Sequence, residues 1–216
     1  MRPEAHLEAP SYVAHHFPNL RQQEHAARLG MWLFLATELL LFGGLFTAYS
    51  VYRFLYSEAF AEASRHLSVA AGTINTVVLI TSSLTVALAH HLAHHGKGRA
   101  AALSLLITLG FAVVFLLIKG WEWSQDFQEG LLPGRYFHSE ELKAVGSSMF
   151  FTLYFILTGL HGLHVIIGMT VLAVLMVQCW RGAYDHGYST PVELGGMYWH
   201  LVDLIWIFLY PLLYLI

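Results

Sequence analysis

Cysteine is nearly absent from this 216-residue chain. Cys179 alone can form neither an internal disulfide nor a thiolate metal cage, so it leaves the redox compartment undetermined. Charge is scarce as well: Asp, Glu, Lys and Arg make up 12% of the residues, with 11 basic against 14 acidic groups and a formal net charge of -3. Nucleic-acid binding needs a basic excess and disorder needs few apolar residues, so both classes are excluded. Residues 1–28 carry Arg2, Glu4, Glu8, Arg21, Glu24 and Arg28 without an apolar run of signal-peptide type, and the N-terminus is expected to stay on the side where it is made. Internal repeats and low-complexity linkers are also missing. The expected organisation is a cytoplasmic segment over 1–28 followed by one membrane domain over 29–216.

What the chain has in abundance is apolar surface: 56% of its residues are of that class, and the mean hydropathy is +0.56. A bilayer core of ~30 Å needs about 20 largely apolar helical residues. Five segments qualify, at about Leu29–Tyr52, Ala70–Leu92, Ala101–Trp123, Ser147–Trp180 and Gly196–Ile216. A polar stretch with Pro133, Gly134, Glu140, Glu141 and Lys143 separates the third from the fourth. Alternating barrel strands do not occur, so the expected fold is all-α, a polytopic bundle of five transmembrane helices. The flanking charges place Arg2, Arg21, Arg28, Lys97, Arg99 and Arg181 on one side and Arg53, Arg65, Lys119, Arg135 and Lys143 on the other. That near balance leaves the short, acid-free His94–Ala100 connection to set the orientation, with the N-terminus cytoplasmic.

Polar groups within the spans are the candidate functional residues. Glu38, among Leu35, Leu39, Leu40, Leu41 and Phe42, must face protein, water or a lipid headgroup, or carry a proton; a relay, a lipid contact and a hydrogen bond across helices are all open. His161 and His164 sit at i and i+3 beside Gly159, Gly162 and Gly168. A haem or copper site normally needs a further ligand, and close helix packing with interhelical hydrogen bonds is the preferred reading. Trp199, Asp203, Trp206 and Tyr210 form one stripe on the last span, with His200 three residues before Asp203; an interhelical His–Asp hydrogen bond is preferred over catalysis. Asn75, Thr76, Ser82, Ser83 and Thr85 read as helix-packing groups, without a nucleophile signature. The cluster His90, His91, His94 and His95 has helical metal-pair spacing, yet its place at a span's end beside Lys97 and Arg99 favours an interfacial role. No catalytic residue and no metal site is expected.

These same residues carry a resemblance. The strings Ala36-Thr37-Glu38-Leu39-Leu40-Leu41-Phe42 with Phe46-Thr47-Ala48-Tyr49, and Asn75-Thr76 with Ser82-Ser83-Leu84-Thr85 and His90-His91, are similar to subunit III of haem-copper cytochrome c oxidases. So are the run from Thr158 through His161 and His164 to Gly168 and the run Tyr198-Trp199-His200-Leu201-Val202-Asp203-Leu204-Ile205-Trp206. The mitochondrial-type subunit has seven spans, so the chain resembles the shorter five-helix bacterial form. The resemblance implies an accessory core subunit of a respiratory terminal oxidase in a bacterial inner membrane, packed against catalytic subunit I and binding no haem or copper itself. Both groups are expected in partner subunits. It further implies support of proton uptake and phospholipid binding, with Glu38 matching an intramembrane glutamate that reacts with a hydrophobic carbodiimide. Arg181 resembles a headgroup-contacting arginine but is displaced by about one helical turn. The alternatives are the homologous subunit of a quinol oxidase and a nitric oxide reductase-associated homologue. From the residues alone, a metal or haem carrier using the histidines and a proton-coupled transporter using Glu38 and Asp203 also remain.

Overall fold

The computed structural model describes residues 13–133, 137, 142, 145–184 and 188–216. Residues 1–12 of the N-terminal segment, and Gly134, Glu140, Glu141 and Lys143 of the polar connection, lie outside the described residues. Among the described residues six helices are formed: α1 (Leu20–Leu55), α2 (Ser57–Ser64), α3 (Val69–His94), α4 (Gly98–Gln128), α5 (Val145–Trp180) and α6 (Thr190–Tyr214). All but α2 are long and apolar enough to cross a membrane, and the only strand-like pairing among the described residues is an isolated Leu131–Phe137 bridge. The protein is therefore an all-α, multi-pass membrane protein. Its helices overrun the expected spans because backbone hydrogen bonding does not stop where hydrophobicity does: α1 begins at Leu20 and α4 continues to Gln128. The short α2 is an additional element, which buries Phe60 and Ala63.

The chain divides into two compact units, Met1–Leu39 and Leu40–Ile216. In the first, Asn19 Oδ1 accepts a hydrogen bond from Gln22 N at 2.9 Å, an N-cap that sets where α1 begins. The Ala14 amide donates to Gln23 Oε1 at 2.8 Å and ties the preceding turn to the helix.

In the second unit, α3 to α6 form a closed ring in which α3 packs on α4 and α6, and α5 packs on α4 and α6. Ser68 caps α3 by accepting from Ala71 N. The same device ends α3, α4 and α5: Gly96, Gly130 and Gly182 have φ near +70°, at 69°, 72° and 73°. In each case the next amide donates back to a carbonyl five residues earlier, Lys97 to Leu92, Leu131 to Asp126 and Ala183 to Gln178. Large rings fill the interior, among them Phe115, Tyr154, Trp199 and Trp206, all fully buried. On the outer surface Leu84, Leu103, Leu117, Ile166, Val174 and Phe208 are exposed, a distribution that suits lipid and not water.

Candidate functional site in the polar interior of the bundle

Opposite charges meet deep between α4, α5 and α6. Lys119, on α4, is 6% exposed, and its ammonium has three protons to donate. It donates to Glu122 Oε2 at 3.0 Å, to Tyr154 Oη at 3.0 Å and to Tyr214 Oη. Tyr214 Oη in turn donates to Glu122 Oε1 at 2.7 Å, so both oxygens of the carboxylate are engaged. The rings of Tyr154, Tyr214 and Trp206 lie 4.7, 5.1 and 5.4 Å from Nζ and enclose it. Asp126 follows one turn after Glu122 and is 4% exposed. Its Oδ2 has no partner among the described residues.

This cluster was not anticipated from sequence, and Lys119 was placed among the flanking charges. The signal was present, because Lys119, Glu122 and Asp126 fall at i, i+3 and i+7, one face of a helix. It is weak because Lys119 and Glu122 lie in the last turn and a half of the expected third span and Asp126 just beyond it, where charges read as flanking.

Further along the same interior, His161 on α5 is fully buried between Phe115 and Trp206, with ring centroids 5.6 and 5.3 Å away. Trp206 Nε1 donates to Thr76 Oγ1 at 3.1 Å, and Trp199 Nε1 to Ser82 Oγ at 3.0 Å, so α6 is keyed to α3 by two indoles. Asn75 and Asp203 are also buried, and neither their polar atoms nor the His161 nitrogens have a hydrogen-bond partner among the described residues. His200 is on the same helix as Asp203 and exposed, and its Nδ1 pairs with Ser83 Oγ at 2.6 Å. His164 Nδ1 donates to the Leu160 carbonyl at 2.8 Å, its ring packs on Phe42, and its own carbonyl accepts from Tyr198 Oη. The structure thus brings His161 next to Trp206 and turns His164 toward α1 and α6. The three glycines of that run differ: a Cβ at Gly168 would lie 2.9 Å from Trp199 and one at Gly159 3.3 Å from Trp123, whereas Gly162 has open space.

Glu38 belongs to the first unit, on the membrane-crossing part of α1, and is partly exposed. Arg181 is exposed at the end of α5, where two concavities meet. One is an apolar groove of about 820 Å³ between α4 and α5, lined by Leu116, Ile166, Thr170, Val174 and Gln178 among others. The other, about 590 Å³, joins Arg181 to Lys97, Arg99 and Tyr184. Tyr184 donates to Gln178, and burial pushes its phenol up from 10.0 to about 12, which keeps it a neutral donor. At the same end, His91 and His95 stack with centroids 4.3 Å apart, His95 Nδ1 donates to the His91 carbonyl, and His94 meets Ser189. Among the described residues, no three or more His, Cys, Asp or Glu side chains are grouped to hold a metal ion.

Comparison with known proteins gives a consistent set of matches. The family model for cytochrome c oxidase subunit III matches residues 8–216. The chain is 31% identical over 216 residues to the heme-copper oxidase subunit I+III of Aeropyrum pernix, covering 97% of this chain and 24% of that protein. It is 33% identical over 141 residues to cytochrome c oxidase subunit 3 of Pisaster ochraceus, covering 65% of this chain and 48% of that protein. With the corresponding subunit 3 of Synechocystis sp. it shares 30% identity over 203 residues, 94% of this chain and 78% of that one. The chain thus spans about a quarter and about half of the lengths of the first two relatives.

Proposed function

The chain belongs to the cytochrome c oxidase subunit III family, and from that membership we propose that it is a non-catalytic core subunit of a respiratory haem-copper terminal oxidase. The observation that carries the partner assignment is the relative named subunit I+III, which joins two subunits in one chain; the partner here is then a subunit I. Haem and copper belong to that partner. The polar interior supports this division of labour, because the Lys119 cluster is built from mutual contacts within the bundle and leaves no ammonium proton for a substrate.

The same reading assigns the chain to a bacterial inner membrane with residues 1–28 cytoplasmic and 29–216 as the membrane domain. Orientation gains support from Lys119: paired inside α4, it leaves the count of flanking cations, which then stand six to four in favour of a cytoplasmic N-terminus. Glu38 is assigned to proton handling or lipid contact, and Asn75, His161, His164, His200 and Asp203 to interhelical polar positions, among which His200 bonds Ser83 of α3 while the polar atoms of Asn75, His161 and Asp203 have no hydrogen-bond partner among the described residues. Arg181 is assigned to a phospholipid headgroup. An acyl chain fits the apolar groove on one side of it, and a phosphate fits the Lys97–Arg99 cleft on the other.

Purification of the tagged chain in mild detergent, with a haem spectrum, identification of companion chains and lipid analysis, tests this reading. A large haem-copper subunit should co-purify, and Arg181→Gln should lower retained anionic phospholipid severalfold while Arg65→Gln does not. Stoichiometric haem or copper on the isolated folded chain, lost on replacing His161 or His164, would overturn the subunit assignment. Equal lipid retention in both arginine variants would remove the headgroup role.

A further inference from the structure

The Lys119 cluster contains one ammonium and two carboxyl groups, all almost fully excluded from solvent. Lys119 and Glu122 satisfy each other, with Tyr154 and Tyr214 completing their hydrogen bonds. Asp126 is left over: its Oδ2 is buried with no partner among the described residues. A second ionised carboxylate would give the cluster a net negative charge in a low-dielectric interior, a state that is strongly disfavoured unless something positive joins it. Among the described residues, the ionisable side chains along this part of the chain are Lys119 and Glu122 on α4 before Asp126 and Glu129 just past the end of α4; α5 contributes Tyr154, tied to Lys119, and α6 contributes Tyr214, joined through Glu122. On α3, the other neighbour of α4, the only ionisable side chains are His90, His91 and His94 at its far end. The smallest positive species that restores balance is a proton, and Oδ2 is the oxygen left without a partner among the described residues.

We propose that Asp126, held by Lys119, Glu122, Tyr154 and Tyr214, is a buried proton-binding site that exchanges one proton with the membrane surface where α4 ends. Position makes exchange feasible. Gln128 is the last residue of α4, and the exposed Glu129 lies one turn beyond Asp126. A proton captured at Glu129 thus has a single helical turn to travel. Lys119 and Glu122 lie on the same helix two turns and one turn before Asp126, so any loss of the Lys119–Glu122 balance is felt at Oδ2. The inference goes beyond the subunit assignment and does not rest on it.

Infrared spectroscopy of the protein, purified with whatever chains accompany it, tests the proposal. At neutral pH the unsubstituted protein should show a carboxylic-acid C=O band that shifts in D₂O and is lost reversibly as the medium is made alkaline. Asp126→Asn should lose this band. Glu122→Gln should lose it too, because Lys119 then balances Asp126 and the proton is released. Carbon-13 labelling of aspartate in an Asp203→Asn background should move the band, which places the proton on aspartate without altering the cluster and holds even if the Asp126 variant fails to assemble. A band unchanged in Asp126→Asn, retained in Glu122→Gln, unmoved by aspartate labelling, or indifferent to D₂O and to the pH of the medium would overturn the proposal.

Discussion

A lysine ammonium within a membrane-spanning helix needs an acceptor for every proton and a countercharge nearby. Lys119 has both, and Glu122 supplies the carboxylate it touches among the described residues. Replacing one member of a buried pair strands the other, at a cost of ~3–5 kcal/mol, whereas replacing both with neutral groups of similar shape costs far less. Lys119→Met is therefore expected to destabilise the bundle by about that amount, and Lys119→Met with Glu122→Gln to recover more than half of it. Thermal unfolding in detergent measures the difference; additive losses in the double variant would show that the two side chains act independently. Sequence inspection found the isolated acids, Glu38 and Asp203, because each interrupts an apolar run. It passed over Lys119, Glu122 and Asp126 because a cluster of charges near a span's end reads as solvent-exposed until the neighbouring helices are known to cover it.

At the scale of elements, helices in lipid gain little from hydrophobicity and associate where their surfaces fit closely. The α5–α6 contact depends on Gly168, where an added Cβ would lie 2.9 Å from the Trp199 ring, itself pinned by its bond to Ser82. Gly168→Val should push the helices apart and cost ~1–3 kcal/mol. Gly162→Ala, two turns earlier and facing open space, should be neutral or stabilising by up to ~1 kcal/mol through helix propensity. Comparison of the two melting temperatures decides the matter, and equal destabilisation would mean that helix–helix approach is not what Gly168 provides. The sequence marks all three glycines of this run as equivalent. Only the packing separates Gly168 and Gly159, which face α6 and α4 side chains, from Gly162.

For the molecule as a whole, the proposed subunit role makes a prediction about proton handling. Glu38 is the group through which that role can be probed from the lipid side. A hydrophobic carbodiimide concentrates in the bilayer, so Glu38 should be labelled ahead of Glu58 and Glu62, which are exposed on the short α2. Glu38→Gln is expected to leave haem spectra and initial oxygen reduction of the complex intact. Its effect should fall on proton-pumping efficiency or on activity retained over many turnovers. Peptide mass analysis of the labelled protein and an activity time course provide the readout; immediate loss of initial activity with a full set of subunits would make Glu38 part of the chemistry.

Length, hydropathy and scarcity of charge were enough to establish five spans, an all-α bundle and, through four motif blocks in order, a family resemblance that the full-length match to subunit III supports. Those features are local: a stretch of 20 apolar residues must cross a bilayer as a helix, whatever its neighbours are. Which polar residues meet was decided only in three dimensions. His200 and Asp203 look like partners on a line of sequence, yet His200 bonds Ser83 of α3 while Asp203 turns into the interior. Lys119, Tyr154 and Tyr214 are separated by 35 and 95 residues from one another's contacts and come together because α4, α5 and α6 converge at one end of the ring. Interhelical register depends on how glycines and aromatic rings interlock across a surface, and the one-dimensional pattern of apolar residues carries no record of it.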